Sequence, residues 1–203
     1  MTKIKNFRIS LRPRDIARWL KKERAMETTP ELELSIDQII KEAKAWIEPS
    51  AVYTTLTRQI AEKTTTLTFP SKAIAVSVIA ASIGPALERE YQAVLQDPVR
   101  EPLLAAVTQE AIGQTLQFVL RLIQEQAKEE DCEMSVPLSP GDDPLAGALA
   151  TLVGIQRIGI VLDASTGALP SYARVAWLFW TPVGKNRDRA PAYRQAGAEK
   201  VAA

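Results

Sequence analysis

Nine residues constrain the fold of this chain more than any others. Lys72-Ala73-Ile74-Ala75-Val76-Ser77-Val78-Ile79-Ala80 is a nearly continuous apolar run. It lacks the polar/apolar alternation of a strand with one wet face, so it reads as a buried strand. Residues 102–130 form the longest helical pattern. Leu103, Leu104, Val107, Ala111, Ile112, Leu116, Val119, Leu120, Ile123 and Ala127 fall on one stripe, interrupted by Gly113. A glycine there costs about 1 kcal/mol against alanine, so a close helix–sheet contact is expected at Gly113. Glu129-Glu130-Asp131 sits badly with the helix dipole, and the helix is expected to fray there.

The flanking segments read in order. Ile16, Trp19 and Leu20 at i, i+3, i+4 predict a helix from Pro13 to Ala25. Lys3, Lys5, Arg8, Arg12, Arg14, Arg18, Lys21, Lys22 and Arg24 make residues 1–24 basic, with the helix cations on a solvated face. Thr29-Pro30 reads as N-cap and first residue of a second helix. Its stripe is Ile36, Ile39, Ile40, Ala43, Trp46 and Ile47, and Pro49 stops it. Ala51–Thr57 is β-branched and aromatic, hence a strand. Thr64–Phe69 reads as another, paired with it as a hairpin around Ala61-Glu62-Lys63. Ser82-Ile83-Gly84-Pro85 opens a helix with Leu87, Tyr91, Val94 and Leu95 on its buried side. Cys132–Leu138 is a short strand, Pro144–Val153 a short helix capped by Asp143, and Arg157–Leu162 and Arg174–Trp180 two further strands. From Gly184 periodicity disappears and basic residues dominate. The expected organisation is one domain over 1–182, with a helical part to residue 50 and an α/β core from 51, followed by a mobile basic tail over 183–203.

Composition narrows the chemistry. The 203 residues contain no histidine and one cysteine. That excludes a Ser-His-Asp triad, a Cys-His pair, His-ligated zinc and an intramolecular disulfide framework. It also leaves no imidazole to offer a haem or a cobalt. A net charge of +1 provides no global field toward nucleic acid or a membrane. No apolar run approaches the length of about 18 residues needed for a membrane-spanning helix. With no signal-peptide pattern and a single cysteine, a cytoplasmic protein is expected.

The stretch whose residue types could build a site is Ser139-Pro140-Gly141-Asp142-Asp143-Pro144. Proline fixes φ, glycine permits positive φ, and aspartate before proline is a ready N-cap. Acidic side chains and free backbone N–H groups meet there, as they would in a site or in an ordinary tight connection. Asp142, Asp143 and Asp163 could gather at one rim beside Tyr172, and neighbouring carboxylates can carry raised pKa values. Read singly, Asp143 is a helix cap and Asp163 a turn residue.

Three segments in this order resemble the reactivation domain of cobalamin-dependent methionine synthase and the small stand-alone proteins that share its fold. Ile158-Gly159-Ile160-Val161-Leu162-Asp163-Ala164-Ser165, Pro170 and Val175-Ala176-Trp177-Leu178-Phe179-Trp180-Thr181-Pro182 resemble its strand–loop–strand ending. Pro137-Leu138-Ser139-Pro140-Gly141-Asp142 resembles its arginine-led SPGY or APGY turn. The strand ending at Ala80, the Ile83-Gly84 entrance and the helix around Ala111-Ile112-Gly113 complete it, and Asp15–Tyr53 resembles the N-terminal part of the stand-alone members.

The resemblance implies an α/β (α+β) fold: a twisted, mainly antiparallel sheet with flanking helices. In that family S-adenosylmethionine lies in a shallow groove, beside the cobalamin domain during reductive remethylation. Here the turn's arginine falls on Pro137 and its closing tyrosine on Asp142. The helix carboxylate falls near Phe118, and the last-strand tyrosine near Leu178. Ser139, Pro140, Gly141 and Asp142 are therefore expected to form a degenerate ligand turn, with the S-adenosylmethionine site eroded or repurposed. Losing an arginine–carboxylate pair alone costs about 2–5 kcal/mol.

The implied role is a non-catalytic accessory that docks on a corrinoid protein or corrinoid-dependent methyltransferase, with cobalamin met only through that partner. The alternative is a binder of S-adenosylmethionine or another small molecule in cobalamin-linked methyl transfer. No catalytic, metal-ligating, nucleic-acid or membrane-binding residues are assigned. Any of Trp19, Trp46, Trp177 and Trp180 left exposed would anchor a partner, and the bland expectation is that all four are core.

Overall fold

The computed structural model describes residues 1–139 and 145–184. The apolar run becomes β3 (Ala75–Ser82), all eight residues of which are buried. It lies at the centre of an antiparallel sheet, flanked by β2 (Ser50–Thr57) and β5 (Ala173–Pro182). β1 (Thr2–Lys5) and β4 (Cys132–Met134) form the edges, giving the order β1-β2-β3-β5-β4. Ser50 opposes Ser82 and Thr57 opposes Ala75, while Ala75 also opposes Trp180 and Ser82 opposes Ala173. Both faces of β3 are covered. Val76, Val78 and Ala80 pack toward α6 (Leu145–Leu152) and a 3-10 turn (Ile155–Ile158). Ala75 and Ile79 pack toward Val119, Ile123 and Ala127 of α5 (Arg100–Glu129).

A second apolar cluster forms between helices. Ile16 and Leu20 of α1 (Pro13–Arg24) and Leu32, Ile36, Ile39, Ile40 and Ala43 of α2 (Pro30–Ala43) close on the first half of α5. The Thr29 hydroxyl caps α2 by accepting from the Leu32 amide at 3.2 Å, with Pro30 at the first helical position. Trp46 and Ile47 lie beyond the end of α2, in a turn whose amides bond back to Ala43. α4 (Ala86–Ala93) follows the Gly84-Pro85 entrance and buries Leu87, whereas Leu95 is exposed. Arg12 to Glu110, Arg24 to Glu101 and Arg100 to Glu42 tie the helices together at 3.0, 2.7 and 2.9 Å. Exposed pairs of this kind contribute about 0–1 kcal/mol each, so the cluster is held mainly by burial.

Two expected strands are absent. Thr64–Phe69 does not pair with β2: β3 takes one edge of β2 along its whole length, and β1 takes Ser50–Tyr53 on the other. The chain instead turns into α3 (Arg58–Thr64), then a loop. Thr64 and Thr65 bond their hydroxyls to the carbonyls of Ile60 and Ala61, four residues back, which accommodates β-branched residues without a sheet. Arg58 holds the returning loop: its guanidinium donates to Glu62 and to the carbonyls of Pro70, Ser71 and Ala73.

Arg157–Leu162 is likewise not a strand. β3 takes one side of β5, and β4 with the Leu138 bridge takes the Trp177–Pro182 part of the other; Arg157–Leu162 pairs with neither side. Gly154 and Gly159, at φ +65° and +77°, bracket the 3-10 turn and direct Ile155, Ile158 and Ile160 into the core. The expected strand over Cys132–Leu138 is regular only to Met134, with one further bridge from Leu138 to Trp177. α5 holds its helix through Glu129 before Asp131 turns the chain at φ +52°. The expected basic tail lies outside the described residues from residue 185.

The glycines correct one expectation and supply a test. A Cβ at Gly113 would meet nothing within 4 Å, so no close contact requires glycine there. A Cβ at Gly147 in α6 would come 2.9 Å from the carbonyl oxygen of Gly167. Gly113→Ala is expected to stabilise the protein by about 0.4–1 kcal/mol through the unfolded chain. Gly147→Ala is expected to destabilise it by about 1–3 kcal/mol through overpacking. Parallel urea melts would read both; equal shifts of one sign would contradict this packing.

Candidate functional site

The expected ligand turn leaves the sheet at the edge of β5. The Ser135 amide donates to the Phe179 carbonyl, and Leu138 and Trp177 exchange backbone hydrogen bonds at 2.8 and 2.9 Å. Val136 and Pro137 thus stand against Leu178 alone, which makes a β-bulge. Pro137 occupies the bulge, where its missing N–H leaves no ladder bond unmade. Ser139 follows, and its hydroxyl donates to the Val175 carbonyl at 3.2 Å. Pro140, Gly141 and Asp142, with Asp143, lie outside the described residues. Of the expected turn, Ser139 is placed on the β5 edge.

Of the other carried-over positions, Leu178 lies on β5 opposite the bulge and Phe118 lies elsewhere. Phe118 stacks on Phe7 with ring centroids 4.3 Å apart. Phe7 follows β1, at the opposite side of the sheet from β4. Leu178 is fully buried in the sheet–α5 core. Neither offers an atom to a ligand beside Ser139. Among the tryptophans, Trp177 and Trp180 are core, while Trp19 and Trp46 are half-buried against the helical cluster.

Asp163 is a turn residue. One oxygen of its carboxylate accepts from the amides and hydroxyls of both Ser165 and Thr166, at 2.6–3.0 Å. Those bonds favour the charged form, and the Ser165 hydroxyl bond leads in holding the carboxyl well below the usual carboxylate range. That is the opposite of what a general acid at neutral pH needs. Tyr172 is half-buried between two apolar clusters.

A charged group on β5 was not among the expected site residues. Arg174, on β5 immediately before Val175, shares the α5-facing side of the strand with Leu178 and Trp180. Its Nη2 donates to Oε1 of Gln109 on α5 at 2.7 Å. Gln109 is its one side-chain partner among the described residues, and the two form no ion pair. Burial lowers the guanidinium pKa from its ordinary value. One helical turn beyond Gln109 is Gly113, with open space above its α-carbon. A sequence signal existed: Arg174 has the same strand parity as the apolar Ala176, Leu178 and Trp180.

A separate cleft lies between two helices. About 990 Å³ opens between α1 and α2, lined by Leu11, Arg14, Lys21, Glu33, Ile36 and Asp37 among others. Its charged walls, among them Arg14, Lys21, Glu33 and Asp37, are exposed. Size alone gives it no chemistry.

The fold defined by this sheet and its helices is one seen in a solved structure. The chain superposes with a TM-score of 0.59 on the crystal structure of the MetH reactivation domain bound to AdoHcy. Identity is 11%, and the match covers 91% of this chain and 79% of that one. The shared property is the fold. No family model and no curated protein matches the sequence. Among the described residues no helix is long and apolar enough to cross a membrane.

Asp163 sets a pH test. Its folded pKa is depressed, so its stabilisation is present above the ordinary carboxylate range. It is lost as pH falls below that range toward the folded value. Asp163→Ala is expected to lower Tm at pH 7 and to converge on wild type as the pH is lowered toward 2. A Tm difference that grows on acidification would contradict the assignment.

Proposed function

We propose that this chain is a non-catalytic accessory of corrinoid-dependent methyl transfer, docking on a corrinoid protein or its methyltransferase. In this reading the inherited S-adenosylmethionine groove no longer serves that ligand. Support comes first from the likeness in fold to a domain that is part of MetH and was crystallised with AdoHcy. The observation that carries the loss of the old site is Pro137. It fills the bulge where the resembling turn has arginine, and a proline can neither pair with a carboxylate nor donate an N–H. Phe118 and Leu178 add apolar, enclosed side chains at the other carried-over positions. The chain has no histidine, so the lower ligand of any cobalt would come from the partner.

A second reading keeps a small-molecule site. It is favoured by Arg174, a half-buried cation paired with a neutral side chain rather than an acid.

Two titrations separate these readings. Mixing the protein with a corrinoid protein encoded in the same genome is expected to give a complex by calorimetry and gel filtration. S-adenosylmethionine alone is expected to give no heat at micromolar concentrations. No complex with any corrinoid partner would remove the accessory reading. Micromolar S-adenosylmethionine affinity would overturn the loss of the old site.

A further inference from the structure

We propose that Arg174 and Gln109 form an anion subsite that takes the carboxylate of a small-molecule ligand, entering beside Gly113 along the flank of α5. The inference goes beyond the accessory reading and requires neither a corrinoid partner nor an S-adenosyl group.

Three observations converge on it. First, the position of Arg174 is costly. It lies on the helix-covered face of a central-sheet strand, beside the buried Ala176 and Leu178. A charge brought out of water is destabilising unless it is paired, and no carboxylate among the described residues pairs with it. The chain's other cations that cross between elements meet acids: Arg12 meets Glu110, Arg24 meets Glu101 and Arg100 meets Glu42.

Second, the guanidinium is oriented and mostly uncommitted. Gln109 accepts one of its five N–H groups at 2.7 Å. This fixes the plane of the fork while leaving donors for a second acceptor. Gln109 is a neutral acceptor, so it orients the cation without neutralising it.

Third, there is room. Gln109 and Gly113 stand one turn apart on the same flank of α5, and the first atom of a side chain at Gly113 would touch nothing within 4 Å.

The chemistry selects the ligand class. The guanidinium carries one positive charge, which matches a monoanion. The planar fork suits a planar carboxylate, which it can hold by two parallel hydrogen bonds. A dianionic phosphate would leave one charge uncompensated. This subsite uses a strand residue and a helix residue, not the Ser139 turn, so loss of function at that turn leaves it intact.

The test reads Arg174 directly. In the ¹⁵N-labelled full chain, the Arg174 Nε–H resonance is assigned from its disappearance in Arg174→Lys. Acetate, L-methionine and S-adenosylhomocysteine supply carboxylates; chloride and 5′-methylthioadenosine are carboxylate-free controls. At least one carboxylate is expected to shift this resonance saturably, at concentrations at least tenfold below those at which chloride does. Arg174→Gln, checked for native fold by near-UV circular dichroism, is expected to bind that ligand at least tenfold more weakly. Failure of all three carboxylates to move the resonance beyond the chloride control overturns the inference. So does ligand binding that survives in Arg174→Gln, or S-adenosylhomocysteine binding that leaves Arg174 unmoved. Neither result bears on docking to a corrinoid protein, which the calorimetric titration reads separately.

Discussion

The Ser77 hydroxyl is the point through which three strands are locked together. It sits fully buried in the middle of β3. It accepts from Nε1 of Trp180 on β5 at 2.8 Å and shares a hydrogen bond of 2.7 Å with the Thr55 hydroxyl on β2. Backbone ladders alone would tolerate a slip by two residues, since that keeps every side chain on its face. A slip by two would separate these three side chains and leave buried polar atoms without their partners, each costing about 1–3 kcal/mol. The register of β2-β3-β5 is thereby fixed by side chains as well as by main chain. Trp180 has no exposed surface, and its ring fills the space between sheet and α5. One indole supplies both apolar volume and the donor that specifies register.

Much of this arrangement follows from the sequence where the signal is local. α1 and α2 are legible because their apolar spacing and the Thr29-Pro30 start are properties of consecutive residues. β3 is legible because burial on both faces erases alternation. The failures come where pairing partners decide. Thr64–Phe69 and Arg157–Leu162 have strand composition, yet neither joins the sheet, where β3 takes one whole edge of β2 and of β5. Local propensity carries no information about which edge is occupied. The fold as a whole was accessible because segment order and turn chemistry persist when individual elements are misread. Ile158–Leu162 resembled a strand of a known ending and still lies near β5 in sequence order, although it is a 3-10 turn and loop.

The site shows the same division in another form. Ser139 reads as a turn residue from its Pro-Gly neighbours, and the structure places it on the β5 edge, its hydroxyl on the Val175 carbonyl. Asp163 was legible as a turn residue because an aspartate followed by Ser165 and Thr166 can satisfy its own loop. Arg174 enters the sequence reading only as the first residue of the Arg174–Trp180 strand. Strand parity places it with Leu178 and Trp180, under α5. Its depth becomes apparent when helix and sheet are assembled, because the cover over that face comes from Gln109, 65 residues earlier.

Pro137 and Arg174 bear on one physical question: where this scaffold keeps a positive charge. At the bulge, an arginine could be solvated when no ligand is bound, so keeping or losing it has little consequence for folding. Arg174 differs. Holding a guanidinium on a helix-covered face works against the stability of the empty protein, and a leucine there would pack beside Ala176 with no desolvation cost. Gln109 recovers part of that cost by one hydrogen bond but contributes no charge. A scaffold that only displayed a docking surface would be served better by an apolar residue at this position. The combination of an unfilled space at Gly113 with an oriented, uncompensated cation is a stability sacrifice that a ligand's negative charge would offset. On this ground the β5–α5 flank, rather than the Ser-Pro-Gly turn, is the place where this chain retains binding chemistry of its own.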